Sequence, residues 1–208
     1  MRITKITTRL VEQDASGWYA AAGSVPKGES TKWLYPLTTV ETEEGISGHT
    51  MAYGKQGEGH AIAAMIRDYY APRYAGEDAR DRERLWQQFK FLNRNLRNFT
   101  DTIPGMIDVA LWDIAGKAAG MPVAELLGVH RRKVPTYATA SRFFRDLDHV
   151  REEARGFREQ NYHGYKLQIH RGPKEDIPML EAARDGAGPD WPIMLDALGQ
   201  LSFEQAVE

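Results

Sequence analysis

The sequence has no cysteine, so disulfides, thiolate chemistry and cysteine-held metal sites are excluded. It has no excess of either charge. Lys and Arg number 27 against 29 Asp and Glu, a net charge of −2, and nothing global advertises a nucleic-acid or anionic-membrane surface. The nearest basic patch, His130-Arg131-Arg132-Lys133, reads as a solvated linker. Long apolar runs are missing too, and the N-terminus has no apolar signal core. No nucleic-acid or membrane partner is therefore expected, and the cytoplasm is the default location. What is present is ordinary globular composition: 42% hydrophobic and 27% charged residues over 208 positions, enough for one large domain or two modest ones.

The first half reads as strands and then helices. Met1 to Leu10 alternates within a Thr-rich stretch, and Asp14 to Lys32 reads as a long glycine-containing loop. Trp33 to Glu43 reads as a strand, Glu44-Gly45 as a turn, and Ile46 to Met51 as the returning strand of a hairpin. From His60 the period becomes helical, with Ile62, Met65, Ile66 and Tyr69 on one face and Pro72 expected to close the segment. Asp81 to Leu92 continues in that style. Ile103, Met106, Ile107, Ala110, Leu111, Ile114 and Ala118 form a broad apolar stripe with Pro104 at its start and Gly120 at its stop, and Trp112 is expected in the core. Pro122 to Leu127 is a short helix ended by Gly128. Residues 1–130 thus read as one α+β domain.

After residue 130 the pattern changes. Val134 to Ala140, Tyr165 to Ile169 and Ile193 to Ala197 are strand-like, and Leu147 to Glu159, Glu175 to Arg184 and Ser202 to Glu208 are helical. Ser202 with Gln205 three residues on has the form of a capping box. Such a βα series implies a parallel sheet. Two readings stand for residues 131–208: a small three-layer domain, or the first units of a longer barrel in a chain that is truncated. If the strands at Tyr165 and Ile193 share one sheet, Lys166, Gln168 and Asp196 share its C-terminal rim, where such sheets place their sites. Lys166 and Gln168 are two apart and face the same way. A lysine and a carboxylate on one rim suggest proton transfer beside a bound cation.

Several segments together resemble the mandelate racemase and muconate lactonizing enzyme group of the enolase superfamily. They are the hairpin ending Glu43-Glu44-Gly45-Ile46-Ser47-Gly48, the helix from Ile107 through Asp113 to Lys117, the run Pro122 to Gly128, and Val134-Pro135-Thr136-Tyr137-Ala138. The resemblance implies an α+β capping domain followed by the first three βα units of a modified (β/α) TIM-type barrel. It implies that two capping loops, about Ser16 to Lys32 and His49 to Gln56, set specificity. It also implies Mg2+ held by acids on the third, fourth and fifth barrel strands, of which Asp196 matches the first, the other two lying beyond Glu208. Trp18, Tyr19, His49, Tyr53, Tyr137, Ser141 and His170 are the expected substrate contacts.

The sequence departs from the group at two places. The second strand usually ends Lys-x-Lys, the second lysine being the base; here the positions are Lys166 and Gln168. The third strand usually carries Asp-x-Asn; here it is Asp196-Ala197-Leu198. Glutamine takes no proton at neutral pH, so Lys166 is expected as electrostatic stabiliser, Gln168 as a hydrogen-bonding partner, and the base elsewhere. That pattern resembles the superfamily's sugar-acid dehydratases. Racemase, epimerase or cycloisomerase chemistry, and a homologue with little or no catalysis, are the alternatives. A non-enzymatic binding module competes with all of them, and residues 1–208 alone are expected to show no turnover. Even-numbered homo-oligomers, from dimer to octamer, are also implied.

Overall fold

Alternating residues in the first fifty positions build an antiparallel meander of β1 (Ile3–Asp14), β2 (Lys32–Thr42) and β3 (Ser47–Met51), with β2 in the centre. The structure is a computed structural model and describes residues 1–17, 31–54, 58–94, 101–140, 146–169 and 171–207. β1 runs further than the sequence pattern suggested, since polar residues continue its pairing as far as Asp14 opposite Lys32, while β2 keeps its expected length. On β2, Pro36, Thr38, Val40 and Thr42 are buried and the residues between them are only half-buried, the two-residue period of a sheet with one covered face. Gly45 makes the turn into β3 with a φ of 80°, a conformation that favours glycine.

Helices cover the buried face. α1 (Glu58–Met65) passes through a π turn (Ile66–Tyr70) into α2 (Ala71–Tyr74), so Pro72 does not close the segment as expected. Proline lacks the N–H donor of a regular turn, and the widened turn before it lets the chain continue, with Ala71 N–H reaching back to Ile66 O. α3 (Arg82–Asn93) and α4 (Thr102–Ala119) follow, then α5 (Val123–Leu126). Gly120 ends α4 in the left-handed conformation, its N–H bonding to Gly116 O and Lys117 O. Ile3, Val40, Ile66, Tyr70, Tyr74, Phe89, Ile107, Leu111 and Ile114 form the core of this layer, with the Tyr74 and Phe89 rings stacked at 4.0 Å. Two residues depart from expectation. Ala118 is exposed, and Trp112 is half-buried beneath the Arg82 guanidinium, 4.1 Å from its ring centre. The apolar stripe of α4 is narrower than its composition, and an amphipathic ring at its margin takes a cation instead of core contacts.

The chain divides into two compact units, Met1–His130 and Arg131–Glu208. In the second, β4 (Ala138–Thr139), β5 (Tyr165–Gln168) and β6 (Ile193–Asp196) form a parallel sheet in that order, with α6 (Leu147–Glu159), α7 (Pro173–Ala187) and α8 (Phe203–Val207) between and after them. Asp146 caps α6 by accepting from Asp148 N–H at 2.9 Å. The capping box before α8 forms, with Ser202 N–H donating to Gln205 Oε1 at 2.9 Å and Gln205 N–H to Ser202 Oγ at 3.3 Å. Tyr165, Leu167, Val150, Ala154, Ala182 and Ala183 pack between sheet and helices, the alanines allowing α6 and α7 to approach closely. Arg184 ties the turn into β6 by donating to Gly188 O, Pro189 O and Trp191 O, and the Trp191 indole N–H donates to Tyr162 O at 3.0 Å.

Two strand expectations shrink. β4 is two residues long where Val134 to Ala140 was expected, because Val134 and Tyr137 stand exposed and Pro135 can offer no donor to a neighbour. β6 was expected to be buried, yet Leu195 on its helix-side face is 45% exposed. β6 pairs with β5 alone among the described residues. Among the described residues, no helix is long and apolar enough to cross a membrane.

Candidate functional site

The parallel register decides which side chains meet. Lys166 lies beside Met194 and Gln168 beside Asp196, while Tyr165 and Leu167 turn to the helix layer. Lys166, Gln168 and Asp196 therefore stand on the opposite face, at the C-terminal end of β5 and β6, each half-buried. The structure brings Lys166 and Asp196 into direct contact, Nζ to Oδ2 at 2.9 Å. This hydrogen bond, and the charge of Asp196 behind it, raise the lysine pKa above its ordinary value. The ammonium is thus held charged at neutral pH.

Asp196 Oδ1 accepts from Leu198 N–H at 3.1 Å, closing a tight turn in which Leu198 has a φ of 50°. A leucine rarely adopts that left-handed backbone, whereas asparagine does so readily. The asparagine usual in the resembling group would suit this backbone better than the leucine does. Leu198→Asn is expected to stabilise the chain by about 1 kcal/mol, read as a higher denaturant midpoint. A lower midpoint would mean that the half-exposed leucine packs better than its backbone suggests.

The loop after β5 is held from beneath. Asp176, 5% exposed in the first turns of α7, accepts from Gly172 N–H at 2.9 Å and Arg171 N–H at 3.2 Å. Gly172 has a φ of 102°, so the turn from β5 into α7 requires glycine. Asp176 was not among the expected site residues, although an acid in the first turn of a helix that follows a glycine is a visible signal.

The other expected contacts are spread more widely. Tyr137 precedes β4 in the same unit as Lys166 and is half-exposed. His49 belongs to the first unit and sits within β3, not in a loop as expected. Pairing with β2 continues to Met51 and puts His49 opposite Thr39, with Nδ1 and Thr39 Oγ1 at 3.0 Å. Its backbone N–H donates to Asp113 Oδ2 at 2.8 Å, so α4 fixes this strand edge. Tyr53 stands edge-on against Trp33 at 5.5 Å and Tyr35 at 5.7 Å. Leu34 N–H donates to Gly54 O, and Ala15 N–H to Thr31 O, so the feet of both expected specificity loops meet at this aromatic group. Trp33 and Tyr35 were missed as loop supports, because a strand pattern marks them only as alternating residues. Trp18, Tyr19, Ser141 and His170 lie outside the described residues.

The donor set tests the expected cation. Asp196 offers hard carboxylate oxygens of the kind Mg2+ prefers, so it fits as one ligand. Among the described residues, no group of three or more His, Cys, Asp or Glu side chains is placed to hold a metal ion.

Comparison with known proteins gives the family. Residues 19–128 match the mandelate racemase / muconate lactonizing enzyme N-terminal domain. L-talarate/galactarate dehydratase of Salmonella typhimurium is 31% identical over 175 residues, covering 82% of this chain and 44% of that enzyme. D-galactarolactone cycloisomerase of Agrobacterium fabrum is 31% identical over 215 residues, covering 100% of this chain and 54% of that enzyme. The chain thus spans about half the length of the curated relatives it matches. A solved enolase-superfamily member from Polaromonas sp. JS666 superposes with a TM-score of 0.80 at 28% identity, covering 99% of this chain and 54% of that one. The architecture is that of the superfamily's capping domain followed by the first βα units of its barrel. With the N-terminal domain matched over more than half of its residues, this chain belongs to the mandelate racemase/muconate lactonizing enzyme family of the enolase superfamily.

Proposed function

We propose that these residues serve an enzyme that removes the proton alpha to a carboxylate, and that its reaction is the dehydration of a sugar acid. One observation carries the proposal: a lysine, a glutamine and an aspartate share one face at the C-terminal end of β5 and β6, with the lysine held charged by the aspartate. The dehydratases and cycloisomerases among the relatives support it.

Each residue has a role its chemistry permits. Lys166, protonated at neutral pH, is no base; its ammonium donates to the oxygen on which enolate charge develops. Gln168 neither gives nor takes a proton in this range and would hold a substrate hydroxyl, donating and accepting in turn. Asp196 would supply one oxygen to a divalent cation, the other ligands coming from outside the described residues. When bound, Mg2+ supplies charge neutralisation at the substrate carboxylate. The alpha proton goes to a base that is neither Lys166 nor Gln168. The enolate electrons then expel the beta hydroxyl, which leaves as water after protonation by an acid, and the enol tautomerises to an α-keto deoxy acid. The same reading keeps the cytoplasmic location and the even-numbered homo-oligomer expected from the sequence.

A panel of aldonic and aldaric acids incubated with the full-length protein and Mg2+ tests this reading. Release of an α-keto deoxy acid from at least one of them is expected. A second reading, cycloisomerization, is favoured by the cycloisomerase that matches the chain over its whole length. Consumption of a sugar-acid lactone without keto-acid release would select it, and inertness toward both substrate classes would sink both readings.

A further inference from the structure

The first unit carries a cleft of about 440 Å³, none of whose residues has a role in the proposed reaction. Small-ligand sites have this size. α3 supplies Arg82, Glu83 and Trp86, α4 supplies Asp108 and Trp112, and Arg80 precedes α3. Arg82 and Trp86 are one helical turn apart, as are Asp108 and Trp112, so each pair shares a face of its helix. We propose that this cleft binds an uncharged sugar ring.

The charges choose the ligand class. Arg80 is neutralised by Asp78, which accepts from its Nε at 3.0 Å and also from its Nη2. Arg82 lies over the Trp112 ring, and its Nε is buried without a hydrogen-bond partner. Asp108 is half-buried in the same cleft; burial raises its carboxyl pKa, while Arg82 and the Trp112 side chain draw it back. The guanidinium calls for an acceptor, the carboxylate calls for a donor, and their charges offset each other. A hydroxyl group answers both, whereas a ligand with a full charge would upset the balance. Exposed Glu83, held by Gln87 Nε2 at 2.8 Å, adds a second acceptor. Trp86 contributes an indole, whose negative face attracts the C–H bonds of a pyranose. A ring with C–H bonds on its faces and hydroxyls around its edge matches this lining.

Saturation-transfer NMR and calorimetry of the full-length protein with methyl β-D-galactopyranoside and methyl β-D-glucopyranoside test this. At least one is expected to bind with a Kd on the order of 1 mM. Trp86→Leu and Arg82→Gln are each expected to weaken that binding roughly tenfold, and Trp86→Phe, which keeps an aromatic face, to stay within a few-fold of the parent. Glu83→Gln changes only an exposed side chain, so it tests the cleft without threatening the fold; about threefold weaker binding is expected. No binding of either glycoside by the parent, or equal binding by the parent and all these variants, would overturn the proposal. Methyl β-D-galactopyranosiduronate, a similar ring bearing a carboxylate, is expected to bind no more tightly than its neutral counterpart. Roughly tenfold tighter binding that disappears in Arg82→Gln would make the cleft an anion site and overturn the neutral assignment.

Discussion

In the full-length protein, Asp196→Asn is expected to lower kcat/KM for the proposed sugar-acid substrate by at least about a hundredfold, the scale on which removing one charge-stabilising group from a preorganised site acts. The side chain keeps its shape, and its amide oxygen still accepts from Leu198 N–H, so the turn after β6 survives. Two things are lost. The neutral amide is a far weaker ligand for a hard cation, and Lys166 loses its counter-ion. The loss should therefore fall on turnover, with the melting temperature nearly unchanged. Activity within a few-fold of the parent would show that Asp196 merely ends a strand.

Gly48→Ala is expected to be the most damaging small change in the first unit. A methyl group at Gly48 would lie 1.9 Å from Ala110 O and 2.8 Å from Ile114 Cγ1. The nearest of these is backbone in the middle of α4, which has no rotamer to change. Either β3 or α4 must shift, and β3 is also held by the bond from His49 N–H to Asp113. Overpacking of this kind costs about 3 kcal/mol, which at this size lowers the melting temperature by on the order of 10 °C. A melt that coincides with the parent's would mean that β3 is free to move away from the helix.

Much of this was legible in the sequence because it depends on periodicity and local chemistry. Leu147 to Glu159 folds as read: its amphipathic period and the Asp146 cap agree on the same helix. The parallel order of β4, β5 and β6 follows from the alternation of strand and helix. The failures have physical causes as well. Pro72 looked like a stop, but proline forbids only the regular turn, and a widened turn precedes it. Trp112 looked like core, yet ring size says nothing of whether a helix margin faces an arginine. For the candidate site, the two-residue period placed Lys166 and Gln168 on one face. It could not give their distance to Asp196, which depends on the register between β5 and β6. The left-handed backbone of Leu198 was equally hidden, because leucine is not a residue that signals it.

Trp191 offers a consequence of a different kind. Of the five tryptophans in the chain, it alone lies in the second unit, with its indole N–H anchored on Tyr162 O. In protein labelled with fluorotryptophan, one fluorine resonance therefore reports on the layer that carries Lys166 and Asp196. The remaining resonances come from the first unit. Denaturant titration of a single sample would then follow the two units separately by spectroscopy, without cutting the chain between them.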